Sequence, residues 1–193
     1  FREIGANKKV IEDARAVKSV ALTNVLSKDT LNLDACDKVK EIYIFEIELN
    51  CSKVPQLFIS ALDRHIRLHT IFRFVFDGKE CYGVAYKTVG TGNVSLSKYY
   101  FTDWKDVQDQ QENLPIFYSI DDVYYDIITK TVGLLKREGE AIADYLARYD
   151  EITALTKESD KLERAILAEK QPNIVYELNR QVKEIRARIN CLR

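Results

Sequence analysis

The hydrophobic period changes once along this 193-residue chain, and that change limits the fold more than any other feature. Up to about residue 132, segments with the two-residue period of strands alternate with segments of helical period. From Leu134 onward there is no strand pattern, only charge-rich helical spacing. Such an order predicts a domain of α+β or α/β class over 1–132, a mixed β-sheet with flanking helices. A C-terminal antiparallel helical hairpin, coiled-coil-like, follows over 133–193.

Within the first part, Val10, Ala14 and Val17 are spaced for a short helix between Ala6 and Val17. Val20, Leu22, Val25 and Leu26 suit a first strand, ended by the turn-rich Ser27-Lys28-Asp29. The clearest strand is Ile42 to Leu49, with Tyr43, Phe45, Ile47 and Leu49 on one face and Ile42, Ile44, Glu46 and Glu48 on the other. Ser52 is placed to cap a helix from about Val54, with Pro55 in its first turn and Leu57, Phe58, Ala61, Leu62 and Ile66 as its stripe. Thr70 to Phe76 and Cys81 to Lys87 flank Asp77-Gly78, a strong hairpin signal. After the loop Gly90 to Asn93, Val94 to Thr102 is read as a strand ending in aromatics, Tyr99, Tyr100, Phe101 and Trp104. Gln108 to Asn113 is polar loop, and Ser119 with Asp122 resembles a capping box opening a helix with Val123, Ile127, Ile128 and Val132 inward.

In the second part Ile142, Tyr145, Tyr149, Ile152, Leu155, Leu162 and Ile166 recur at helical spacing until Gln171-Pro172-Asn173 breaks the pattern. Beyond it Val175, Leu178, Val182, Ile185, Ile189 and Leu192 form a seam three and four residues apart. Thr156, Ser159 and Glu169 dilute the opposing face. Part of the seam is therefore expected to stay open to a protein partner or a second copy, as a homodimer through the hairpin.

Charge excludes some functions. Twenty-nine basic side chains nearly balance thirty acidic ones, so no whole-chain field draws nucleic acid or an anionic membrane. No apolar run approaches a membrane span and no signal-type segment is seen, which leads to the expectation of a cytoplasmic protein. The four cysteines, at 36, 51, 81 and 191, lack metal-knuckle or paired spacing and are expected to be reduced thiols. Gly90-Thr91-Gly92 lacks the Lys-Ser/Thr pair of a phosphate loop, and no cofactor is expected.

Weak catalytic candidates remain. Glu46 and Glu48, about 7 Å apart on one strand face, suit a metal or an acid–base pair, or simply a solvated strand end. His65 and His69 stand four apart, but no third ligand is evident and no metal site is expected. Asp77, Glu80 and Lys87 faintly resemble nucleases that set an acid and a lysine on adjacent strands. The position two before that lysine is Ala85 where an acid is needed. In the last helix Arg180, Lys183, Arg186, Arg188 and Arg193 outnumber Glu177 and Glu184. They are a candidate phosphate-tracking face, or the solvated flank of a coiled coil.

Several strings together resemble a bacterial family known as domain of unknown function 4391. They are Leu26 to Leu33, the strand Ile44 to Asn50, Leu62-Asp63-Arg64-His65-Ile66-Arg67-Leu68-His69-Thr70-Ile71-Phe72, Ala85-Tyr86-Lys87, Tyr99 to Trp104, and Glu169-Lys170-Gln171. The sequence departs from relatives at Arg67-Leu68, where they have Pro-Tyr. The resemblance carries no catalytic residues. It implies an accessory role beside helicases and DNA methyltransferases in phage defence, with nucleic acid met weakly or through a partner. The expectation is a non-enzymatic interaction or scaffold subunit. The competing expectation is a degenerate metal-dependent nuclease-like or DNA-binding domain using Glu46, Glu48, Asp77 and Lys87.

Overall fold

The alternating pattern before residue 132 produces one sheet with a helix on each face. A computed structural model describes residues 7–33, 38–90, 92–107 and 119–193. The chain divides into two units, Phe1–Val132 and Gly133–Arg193. In the first, α1 (Lys8–Asp13) and a 3-10 turn (Ala14–Ala16) lead to β1 (Val17–Ser27), α2 (Lys28–Leu31), β2 (Glu41–Leu49) and α3 (Gln56–His65). Then come β3 (His69–Phe76), β4 (Lys79–Val89), β5 (Val94–Phe101), β6 (Lys105–Asp106) and α4 (Ile120–Val132). The strand order is β1-β2-β3-β4-β5, with β6 paired to β4. β2 and β3 run parallel with α3 between them, and the other neighbours are antiparallel. The sheet is therefore mixed.

Side-chain alternation sorts the two faces. Ile47, Leu49, Phe72, Phe74 and Cys81 pack with Phe58 and Ile59 of α3. Ile42, Ile71 and Val84, of opposite parity, are buried, as are Ile120, Val123, Tyr124 and Ile128 of α4. Tyr99, Phe101 and Trp104 pack against the α3-side core and Tyr100 is buried, so the aromatic run is core material. The Asp77-Gly78 turn has φ 48° and 71°, the positive pair that a two-residue hairpin requires.

Three local expectations change. Ser27-Lys28-Asp29 opens the one-turn helix α2, because Ser27 and Thr30 cap each other reciprocally. Ser52 does not cap α3. The Asp13 carboxylate does, accepting from the backbone N–H of Leu57 (2.8 Å) and Phe58 (3.1 Å), and Pro55 precedes the helix as its N-cap residue. The buried stripe of α3 is also rotated, with Phe58, Ile59 and Asp63 inward and Leu57 51% exposed. Ser119 and Asp122 do bond reciprocally at the start of α4. The segment Gln108 to Asn113 lies outside the described residues.

The second unit is the hairpin of α5 (Ile142–Ala168) and α6 (Pro172–Leu192). Glu169 organises its turn, its Oε1 accepting from Lys170 N (2.7 Å) and Gln171 N (2.9 Å). Residues far from the turn meet one another, Arg188 with Glu151 and Arg148 with the Leu192 carbonyl, so the helices are antiparallel. Val182 and Ile189 are buried, and Val175, Leu178, Ile185 and Leu192 half-buried. Ser159 is buried, donating to Glu163 Oε1 (3.0 Å), and no seam residue is left exposed. No described helix is long and apolar enough to cross a membrane.

Candidate functional site

Lys87 is the one amine among the weak catalytic candidates, and its surroundings decide what it can do. A bulge between Ala85 and Lys87 of β4 accompanies its placement on the α3 side of the sheet. There its ammonium pairs with the carboxylate of Asp63, from the last turn of α3, and both side chains are essentially inaccessible, 0% and 1% exposed. The ammonium also meets the carbonyls of Leu68 (2.7 Å), Asp63 (3.2 Å) and Ile66 (3.2 Å), and lies 3.4 Å from Thr70 Oγ1. Three protons shared among five acceptors leave none for a substrate.

The second Asp63 oxygen accepts from Tyr99 OH (2.5 Å), and Thr70 Oγ1 donates to the first. Burial pulls the Lys87 amine down, and the Asp63 charge opposes that fall. Burial and the same carboxylate push the Tyr99 phenol well above its ordinary value, which keeps it a neutral donor. On the far side of the strand, Tyr124 OH donates to the Ala85 carbonyl (2.5 Å) and receives Lys87 N–H (3.2 Å). The buried His69 ring bonds the Lys87 carbonyl (3.1 Å) and meets the Tyr124 ring edge-on. Burial lowers the basicity of that imidazole. The arrangement ties α3, β3, β4, β5 and α4 together, with the lysine acting as an internal C-cap for α3.

The acids proposed to act with Lys87 are elsewhere. Glu46 and Glu48 share a face of β2 as expected, but it is the α4-side face. Each already has a cation there, Glu46 with Arg73 (2.7 Å) and Glu48 with Lys18 (2.5 Å). Arg73 also holds Glu80 (2.7 Å). Asp77 occupies the β3–β4 turn. The four candidates therefore do not converge, because the sheet separates Lys87 from the two glutamates. His65 ends α3 and His69 begins β3, so the pair does not share a helical face. Among the described residues, no group of three His, Cys, Asp or Glu side chains is placed to hold a metal ion.

Three arginines of the α6 basic face are occupied as well. Arg180 pairs with Glu177 (2.6 Å) and Glu184 (3.0 Å), Arg186 with Glu163 (2.9 Å) and Arg188 with Glu151 (2.8 Å). A phosphate would have to displace a carboxylate at Arg180, Arg186 and Arg188. At the open end of the hairpin, Arg148 holds Glu140 with both Nε and Nη2 (2.7 Å each) and donates to the carbonyls of Leu135 and Leu192. Within α5 and α6 the exposed large apolar side chains flank the turn, Leu167 at 88%, Tyr176 at 74% and Ile174 at 40%, while Leu135, ahead of α5 in the same unit, is 82% exposed.

The family model for Domain of unknown function (DUF4391) matches residues 5–189. The chain belongs to that family. No curated protein and no solved structure matches it. The strings that carry the family resemblance include members of the buried knot, Asp63, Thr70, Lys87 and Tyr99, which are neighbours only in the folded chain. Asp63 was not singled out as a partner of Lys87 in the sequence. Its signal is the polar residue on the inward stripe of α3, one turn from Ile59.

Proposed function

We propose that the protein is a non-catalytic interaction subunit that docks through the turn end of its helical hairpin, as an accessory to a helicase or methyltransferase system acting on DNA. The observation that carries this reading is the placement of Leu167, Ile174 and Tyr176 on either side of a turn that the Glu169 side chain holds in shape. Apolar side chains scattered singly need no partner. Three large ones within ten residues, at a preorganised helix–helix turn, resemble the anchor cluster of a docking surface. The sealed lysine and the separated acids support a role without chemistry. The link to DNA-acting enzymes rests on what the family resemblance implies.

The test is co-expression with a helicase or a DNA methyltransferase of the same genome. A stable complex is expected, lost in the variant Leu167→Ser, Ile174→Ser, Tyr176→Ser while helical circular dichroism is retained. A complex that survives all three substitutions overturns the docking site.

A further inference from the structure

β1 (Val17–Ser27) is one end of the sheet, and no described strand pairs with its outer edge. Each residue from Lys18 to Asn24 is exposed. Val20 and Leu22 lie opposite Ile47 and Phe45, which places them on the α3 side of the sheet, yet they are 41% and 48% exposed. Unpaired edges are ordinarily guarded by an outward charge, a proline or a short strand. β1 runs for eleven residues without a proline. Its one charged residue, Lys18, turns its ammonium back to Glu48 of β2 (2.5 Å). Thr23, left over at a bulge, likewise turns inward and donates to the Ile44 carbonyl (3.1 Å). The two bulges, at Val17/Ser19 and Leu22/Asn24, bracket Ser19 to Leu22 and leave that stretch in unbroken register with β2.

We infer that β1 pairs antiparallel with β1 of a second copy of this chain, about a twofold axis that passes through Ala21 perpendicular to the sheet. Such pairing sets a strand against its own reverse, and this strand fits its reverse. Centred on Ala21, Val20 meets Leu22 of the partner subunit, and Leu22 meets Val20 of the partner subunit. The exposed apolar side chains then cover one another on the α3 side. Ser19 meets Thr23 of the partner subunit, and the two Lys18 positions stand about 20 Å apart along the pair. Other centres fit less well. Moving the centre to Val20 sets Leu22 against Lys18, and moving it to Leu22 sets Val20 against Asn24. A slip of one residue sets the α3 side of one sheet beside the α4 side of the other.

A strand from another protein would need no such symmetry, and it is the symmetry that selects a second copy. The contact is isologous, so it closes as a dimer and joins the two sheets edge to edge. It uses the first unit alone, and so differs from a homodimer through the hairpin and from docking at the hairpin turn.

Sedimentation equilibrium of the full chain over a range of concentrations should show a monomer–dimer equilibrium. Val20→Lys with Leu22→Lys opposes like charges across the pair and should raise the dimer dissociation constant about tenfold or more, with the circular dichroism of the parent retained. The hairpin variant Leu167→Ser, Ile174→Ser, Tyr176→Ser should dimerise like the parent. Cross-linking reads the register in a background of Cys36→Ser, Cys51→Ser and Cys191→Ser. Ala21→Cys faces its own counterpart at a Cβ separation of about 4.5–5.5 Å, close enough for a disulfide, and should oxidise to a covalent dimer. Ser19→Cys stands about 14 Å from its counterpart and should remain unlinked. Where the double lysine substitution disturbs the fold, cross-linking decides alone. A parent that is monomeric throughout, Ala21→Cys that does not link, Ser19→Cys that links equally well, or a dimer that survives Val20→Lys with Leu22→Lys overturns the inference.

Discussion

The ammonium of Lys87 and the carboxylate of Asp63 form an ion pair inside the first unit, with Tyr99 and Thr70 donating to the same carboxylate. Removing one partner of such a pair strands the other. Lys87→Met should destabilise the unit by about 3–5 kcal/mol, because it leaves a buried carboxylate and three backbone carbonyls without their cation. Adding Asp63→Asn should restore part of the loss, since the uncompensated charge disappears. Urea unfolding of both variants checks this, and a Lys87→Met protein as stable as the parent would refute the structural role given to the pair.

The second unit should be sensitive to acid at Glu140. The Arg148 guanidinium holds the Glu140 carboxyl down from its ordinary 4.5 to about 2. A folded-state value below the unfolded one means that the ionised form stabilises the fold. That contribution is complete above about pH 4.5 and is lost as the pH falls toward 2. Glu140→Gln should flatten this part of the profile and lower stability at pH 7. Thermal melts of parent and variant between pH 7 and 2 decide it, parallel curves for the two being the contrary result.

Much of this architecture was legible locally, because strands and hairpins declare themselves through alternation and turn chemistry. Ile42 to Leu49 separated into the observed faces, and Asp77-Gly78 took the positive φ pair that its residue types favour. What stayed hidden depended on pairs distant in sequence. The cap of α3 comes from Asp13, and Asp63 finds Lys87 across 24 positions. The hairpin seam was readable as a pattern, but the burial of the polar Ser159 beside it was not. Ser159 looks like a polar gap until its bond to Glu163 shows how it is buried.

Gly83 marks a close approach that its residue type explains. A Cβ there would stand 2.7 Å from the Phe101 ring and 3.0 Å from Phe74, on the packed α3 side of the sheet. Gly83→Ala should therefore destabilise the protein by about 1–3 kcal/mol through overpacking. Shortening the obstacle with Phe101→Leu should make Gly83→Ala cost less than it does in the parent, a coupling that a double-mutant cycle measures. Purely additive effects would place the strain somewhere other than this contact.

The arginines of α6 test whether net charge or local pairing governs nucleic-acid contact. A phosphate gains from a cation only after the cation's present partner has been displaced, and Arg180, Arg186 and Arg188 each hold a glutamate at 3.0 Å or less. Counterion release from DNA would accompany each new contact, so binding through this face would weaken steeply with salt. The expectation is that the isolated protein shows no tight, salt-sensitive binding to duplex DNA through α6. Substituting Arg180, Lys183, Arg186 and Arg188 by Ala should leave any residual affinity unchanged while loosening the hairpin's links to Glu151 and Glu163. Titration of labelled duplex at low salt, repeated at several salt concentrations with parent and variant, reads the affinity and its salt slope, and thermal melts of the two proteins read the hairpin. A steep salt slope that falls with each arginine removed would show that phosphate outcompetes the glutamates.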